Sequence, residues 1–444
     1  MTSLLKKDRL ETALHDKKPL YSSAEAKAEA DRCLYCADAP CIKACPTEID
    51  IPTFIKKIAS GNVRGAAATI FEQNLLGHSC ARVCPVEVLC AGDCVYNAWE
   101  REPIHIGRLQ RYATETATKA EEAGAPKLFT PKPKNGKKVA CVGAGPASLA
   151  FAGTLALEGF EATVFEKRAV PGGLNTTGIA PYKLQADDAL HEVAWVESFG
   201  VTIKTGVEIG KDIKAEDLIR DYDAVFIGVG LGEDTKLGVP GEDGPGVIGA
   251  TAWIEEMKLT LPREHAKSLG RVLVVGGGNT AIDVAREAKG LGADDVAMVY
   301  RRSQKEMSGY AHELEGARIE GVRFVENVVP HSFVRDASGK LVALRVSRAE
   351  GGKGIPGTEH DLPCDLVALA IGQSKLRAIA TQFPGVTLDA KGCVVVNDAA
   401  TCRTGNEKVY AGGDCINGGK EVVNAVADGR NAARDVLARL SKGS

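Results

Sequence analysis

Eight cysteines crowded between Cys33 and Cys94 limit what this chain can become more than any other feature. They read CLYCADAPCIKACP at one end and CARVCPVEVLCAGDC at the other, with two, four, three, thirty-four, three, five and three residues between neighbours. Cys45 and Cys84 are each followed by proline. The opening MTSLLKKDRLETALHDKKPL has no apolar run of signal-peptide length, so a reducing, cytoplasmic setting is expected. Thiols this dense in such a setting bind metal rather than pair as disulfides. Short-spaced thiolates that end in Cys-Pro are how iron–sulfur clusters are held. Two four-iron clusters need eight ligands, and the count fits without saying which eight. Zinc is the alternative metal, but its structural sites repeat closely paired cysteines, and only Cys33 and Cys36 have two residues between them. Inert core cysteines are the third reading.

A chain of 444 residues is too long for one core, which predicts two to four domains. A net charge of -3 gives no reason to expect a nucleic acid or an anionic membrane as partner. No stretch approaches 18 apolar residues, so no transmembrane helix is expected. Around the cysteines the periodicity is helical: Ser22 or Ser23 can cap a helix through EAKAEADRCLYC, two short helices break at Gly61-Asn62, and IHIGRLQRYATETATKAEEAG forms another. Residues 125–137, APKLFTPKPKNGK, have three prolines and no periodicity and mark a linker.

Beyond the linker the period changes. Lys138–Val142 is a strand, Gly143, Gly145, Pro146, Ala147 and Ser148 turn into a helix, and Ala162–Glu166 is the next strand. This is a βαβ dinucleotide fingerprint: glycines let the backbone approach a pyrophosphate, the helix N-terminus adds partial positive charge, and Glu166 accepts from a ribose hydroxyl. A Gly172-Gly173-Leu174 turn follows. The motif recurs at Gly276, Gly278, Asn279 and Thr280, after the strand Arg271–Val275. Here the second strand ends in Arg301-Arg302 instead of an acid, which on chemistry alone favours a 2′-phosphate and so NADPH over NADH. Two solvated surface arginines are the alternative. The run ending in Ala370 and Gly372 closes this unit. In the tail, Gly413-Asp414 ends a strand, Val423 opens a helix, and the aspartate suits a ribityl hydroxyl. The second nucleotide domain is therefore inserted in the first, one for FAD and one for NADH or NADPH. The expected fold is multidomain: an α-helical iron–sulfur domain over 1–125, an α/β Rossmann-like FAD domain over 126–236 and 375–444, and an NAD(P) domain over 237–374. Cys141, Cys364, Cys393, Cys402 and Cys415 are scattered and read as core.

The order of cysteine domain, GAGPAS, GGL, GGGNTA, VYRR and AGGD resembles the glutamate synthase small subunit and the N-terminal half of dihydropyrimidine dehydrogenase. CADAPC, GAGPASL and IGRLQRYA resemble the pyrimidine enzyme more. That resemblance implies Cys33, Cys36, Cys41 and Cys94 on one 4Fe-4S cluster, and Cys45, Cys84, Cys90 and Gln110 on the other. Spacing alone would choose Cys80 over Gln110. It also implies that Lys183, after GGL, reaches FAD. An additional arginine of the animal enzyme falls near Ser308 here, which leaves the choice between NADH and NADPH open. The animal enzyme would continue past the position of Ser444 into its FMN barrel, so a separate FMN and iron–sulfur catalytic subunit is expected as partner. The expected activity is an NAD(P)H-oxidising subunit of dihydropyrimidine dehydrogenase, with no catalytic acid or base because hydride transfer needs none. The alternatives are a glutamate synthase small subunit or NAD(P)H-ferredoxin-type oxidoreductase, and, in another class, a non-catalytic iron–sulfur scaffold.

Overall fold

A computed structural model describes residues 5–440. The outermost four residues at each end of the expected domains, 1–4 and 441–444, lie outside the described residues.

The cysteine-rich part is helical. Ser22 caps the helix Ser23–Asp31: its Oγ accepts from the Glu25 amide at 3.3 Å, and the Glu25 carboxylate accepts from the Ser22 amide at 2.7 Å. The helix stops at Asp31, short of the expected end, so Cys33 and Cys36 stand on irregular chain where Tyr35 has φ 51°. Helical rise would carry two thiols past a common centre, and the irregular path turns them back towards it. The helices Ile51–Ala59 and Val63–Phe71 meet at the expected break, where Asn62 Oδ1 accepts from the Gly65 amide at 2.9 Å. The helix Ile106–Glu122 completes the domain.

Strands β1 (Lys138–Val142), β2 (Glu161–Glu166), β3 (Thr202–Thr205) and β4 (Ala224–Ile227) are parallel. They are followed by β5 (Val247–Gly249), β6 (Arg271–Val275), β7 (Asp295–Tyr300) and β8 (Arg323–Glu326), then by β9 (Val328–Arg335), β10 (Leu341–Glu350), β11 (Lys353–Gly354) and β12 (His360–Pro363), and by β13 (Leu366–Leu369). The last is β14 (Val409–Ala411). Two five-stranded parallel sheets result, ordered β14-β4-β1-β2-β3 and β5-β13-β6-β7-β8. Val409 of β14 lies opposite Val225 of β4, so the tail closes the first sheet and the second is inserted between its strands. The small antiparallel sheet β9–β12 was not anticipated, although the Asp336–Gly339 turn between alternating runs is a readable hairpin signal.

The helical domain shares one apolar core with the first sheet, with Phe71 against Trp195 at 4.4 Å between ring centroids. The 125–137 stretch is drawn into that core: Phe129 sits beside Trp195 and Phe199, and the Lys132 and Asn135 amides donate to Leu157 and Gly159 carbonyls, both at 2.9 Å. Two apolar residues are enough to dock a stretch whose composition reads as a linker. At the same junction, Glu192 accepts from the His78 amide at 2.9 Å and from Ser79 Oγ, and full burial pushes its carboxyl up to about 7. A raised carboxyl binds its proton more tightly folded than unfolded, so stability should fall as pH rises from about 4.5 to about 7, by roughly 3 kcal/mol. Thermal melts of Glu192→Gln across that range should be flatter than those of the wild type.

Candidate redox site

Cys33, Cys36, Cys41 and Cys94 line one small apolar cavity whose walls include Ile51, Ile55, Tyr96 and Ile106. Burial pushes the Cys41 thiol up to about 12, with Cys33, Cys94 and Cys36 adding to the rise. A second group lies deeper: Cys84 shares a hydrogen bond with Cys80, and Cys90 and Cys45 raise its pKa further. Among the described residues, no three His, Cys, Asp or Glu side chains converge tightly enough for a single ion. Cys33, Cys36, Cys41 and Cys94 surround a cavity instead. Thiols held together in an apolar shell are costly as bare thiolates and fit a polynuclear iron centre whose positive iron offsets their charge.

Gln110 is buried at this second group, and its Nε2 donates to the Gly77 carbonyl at 2.8 Å. Gly77 opens the helix Gly77–Val83 that carries Cys80, so the bond ties Gln110 to the element that holds the rival ligand. Cys80→Ala is expected to keep the iron content of the wild type, and Gln110→Ala to lower it or alter one cluster's EPR signal. The reverse result would make Cys80 the ligand.

At the first fingerprint, Gly143 has φ 90°, and a Cβ there would lie 2.7 Å from the Gly228 carbonyl oxygen. Gly145 leads into the helix Pro146–Leu157, and a Cβ on Gly173 would meet Gly145 Cα at 2.9 Å. Leu174 begins the short helix after that turn. Glu166 accepts from the Ala144 amide at 2.8 Å and so sits against the turn. The Gly413 amide donates to Asp428 at 2.9 Å, Asp414 accepts from the Lys420 amide at 3.0 Å, and burial raises the Asp414 carboxyl. Val423 is buried in the first turn of the helix Val422–Leu440, which crosses Pro146–Leu157 where Gly429 passes the Ala147 carbonyl. Ser148 Oγ and Asn175 Oδ1 are buried without a partner. Narrow glycine contacts with orphaned polar atoms beside them fit a dinucleotide cofactor. Lys183 bridges the two nucleotide domains. Its Nζ pairs with Asp283 at 2.7 Å and Glu313 at 2.9 Å, both from the inserted domain, and its pKa is raised because those two charges outweigh burial.

The second fingerprint opens on a cavity of about 560 Å3 lined by Gly276, Gly278, Thr280, Arg301, Arg302, Ala370 and Gly372. Asn279 is not in its wall; its Oδ1 accepts from the Tyr310 amide at 2.9 Å, and the Tyr310 hydroxyl donates to Glu421 at 2.6 Å. Arg301 has no hydrogen bond or ion pair among the described residues, and Arg302 Nη2 donates to Tyr300 Oη at 2.9 Å. Glu306 accepts from the Ser303 amide at 3.1 Å and pairs loosely with Arg302 at 3.8 Å, and Glu326 accepts from the Gln304 amide.

Several contributors escaped sequence reasoning. Ser308, Asp234, Thr251 and Gln373 line the cavity, and Asp234 reaches Thr251 from 17 residues away, at 2.9 Å to its hydroxyl. Lys258, fully buried, donates to the Asn175, Ile179 and Leu184 carbonyls at 2.9, 3.0 and 2.8 Å. It thereby pins the loop after the GGL turn, and burial lowers it to about 8. Nothing local marks a lysine for such a role. Cys141, Cys364, Cys393, Cys402 and Cys415 are all buried, as read.

Paired thiol groups beside two nucleotide-binding sheets define an iron–sulfur flavoprotein oxidoreductase that uses a nicotinamide nucleotide. The chain belongs to the pyridine nucleotide-disulphide oxidoreductase family, whose model matches residues 137–429, and residues 10–122 match the model described as dihydropyrimidine dehydrogenase domain II, 4Fe-4S cluster. It is 35% identical over 437 residues to the glutamate synthase [NADPH] small chain of Escherichia coli, spanning 94% of this chain and 92% of that one. It is 34% identical over 424 residues to the NAD-dependent dihydropyrimidine dehydrogenase subunit PreT of Escherichia coli, spanning 94% and 95%. The thioredoxin reductase of T. acidophilum shares the fold, superposing with a TM-score of 0.55 at 21% identity and covering 69% of this chain and 99% of that one. Among the described residues, no helix is long and apolar enough to cross a membrane.

Proposed function

We propose that this chain is the electron-input subunit of a dihydropyrimidine dehydrogenase. It oxidises NADH or NADPH at FAD and passes electrons through two 4Fe-4S clusters to a separate FMN-containing subunit that reduces uracil or thymine. The observation that carries this reading is the gathering of Cys33, Cys36, Cys41 and Cys94 about one cavity, within a domain that matches the dihydropyrimidine dehydrogenase model. Bound FAD supplies the conversion between hydride and single-electron chemistry.

The chain's own residues supply position. Gly143, Gly145 and Gly173 admit a pyrophosphate, Glu166 accepts from a ribose hydroxyl, and the helix that opens at Pro146 directs its amides at the phosphates. Asp414 and the first turn of Val422–Leu440 hold the far edge of the cofactor. Gly276, Gly278 and Thr280 hold the nicotinamide nucleotide, with Arg301 and Arg302 at its adenosine end. The apolar walls around the thiols keep water from the clusters. No side chain is asked to move a proton.

A second reading, a glutamate synthase small subunit, is favoured by the 35% identity to that chain. Co-expression with candidate partner chains decides: nicotinamide-dependent reduction of uracil supports the first reading, and glutamate formation the second. A purified chain without flavin, iron or labile sulfide would overturn both.

A further inference from the structure

Arg430 stands on the helix Val422–Leu440, seven residues and about 10 Å beyond Val423 at the expected flavin edge. Its side chain leaves the nucleotide domain and enters the helical one. Nη1 donates to the Thr47 carbonyl, and to the carbonyl and side-chain oxygens of Gln73 at 3.3 and 3.1 Å. Nη2 reaches Asn431 Oδ1 at 3.0 Å. The residue is 5% exposed, and every one of these acceptors is neutral. Among the described residues, Arg430 forms no ion pair, whereas other buried arginines such as Arg9, Arg82 and Arg111 each hold a carboxylate. A buried cation with no anion is strongly disfavoured.

The missing anion is next door. Thr47 lies two residues past Cys45, and Cys45 Sγ is 3.3 Å from Thr47 Oγ1. Burial, with Arg434 beside it, lowers Arg430 to about 10, while Glu48 and Cys45 act to keep it charged. We propose that Arg430 is the counter-cation of the second thiolate group and raises the reduction potential of the cluster that group holds. A fixed positive charge favours the more negative, reduced cluster.

This inference rests on the two-cluster reading of the chain. The test is an EPR-monitored redox titration of the purified full chain with its clusters. Arg430→Met should make one of the two cluster couples about tenfold harder to reduce, 59 mV for a one-electron couple, with iron and flavin contents unchanged. Arg430→Lys should restore most of that shift. Unmoved potentials in both variants, or iron lost from both in step with thermal stability, would overturn the inference. Wild-type protein lacking iron and labile sulfide would instead overturn the proposed function.

Discussion

Cys41→Ala should abolish electron delivery to a partner subunit while leaving flavin reduction by NAD(P)H intact. Cys41 shares its cavity with Cys33, Cys36 and Cys94, and no other cysteine lines it. Loss of one thiolate leaves three ligands for a centre that needs four, and the hydroxyl of Tyr96 in the wall is engaged with the Arg32 carbonyl at 2.8 Å. Iron and labile sulfide should fall by roughly half, because the deeper group around Cys45, Cys84 and Cys90 is untouched. The flavin site draws on other elements, so bleaching of its visible band by the nucleotide should persist. Full iron content in Cys41→Ala would break the assignment of the first cluster.

Gly143→Val is expected to have the largest effect on the flavin. The residue has φ 90°, which a β-branched side chain resists by about 1–2 kcal/mol, and its Cβ would lie 2.7 Å from the Gly228 carbonyl oxygen. The obstacle is backbone on β4's exit, not a side chain that can swing aside. Overpacking adds about 1–3 kcal/mol more. The turn should open, and the protein should be purified without its flavin but with its iron, since the cysteine groups lie on other chain segments. Flavin released by acid and read by its fluorescence, together with the iron content, checks this. A normal flavin content in Gly143→Val would remove the first fingerprint from the cofactor site.

Much of the architecture could be read along the chain because its signals are local. Two helices meet at the break expected at Gly61-Asn62, and β14 joins the sheet that the Gly413-Asp414 motif pointed to. Cysteine spacing pointed to metal without saying which thiols meet; the grouping of Cys33, Cys36, Cys41 and Cys94, which line one cavity, came from the family resemblance. What could not be read was pairing between distant residues. Lys183, which the family resemblance placed near FAD, pairs with Asp283 and Glu313, residues about 100 and 130 positions away. Asn279 belongs to the fingerprint by position but spends its side chain on Tyr310. Phe129 docked a segment whose prolines and lysines read as a free connector.

By itself the sequence determined the thiol-rich helical domain, the two glycine turns, the nesting of one nucleotide domain inside the other, and hence the kinds of cofactor this protein suits. Each of these depends on backbone conformation or ligand spacing within a few tens of residues, and such requirements are written locally. Only the tertiary structure decided where the buried charges went: Lys258 onto three carbonyls, Glu192 onto the helix that carries Cys80, and Arg430 towards Cys45. A charge removed from water takes whatever counter-group the packed domains bring within reach, and that choice is made between residues that no spacing along the chain connects.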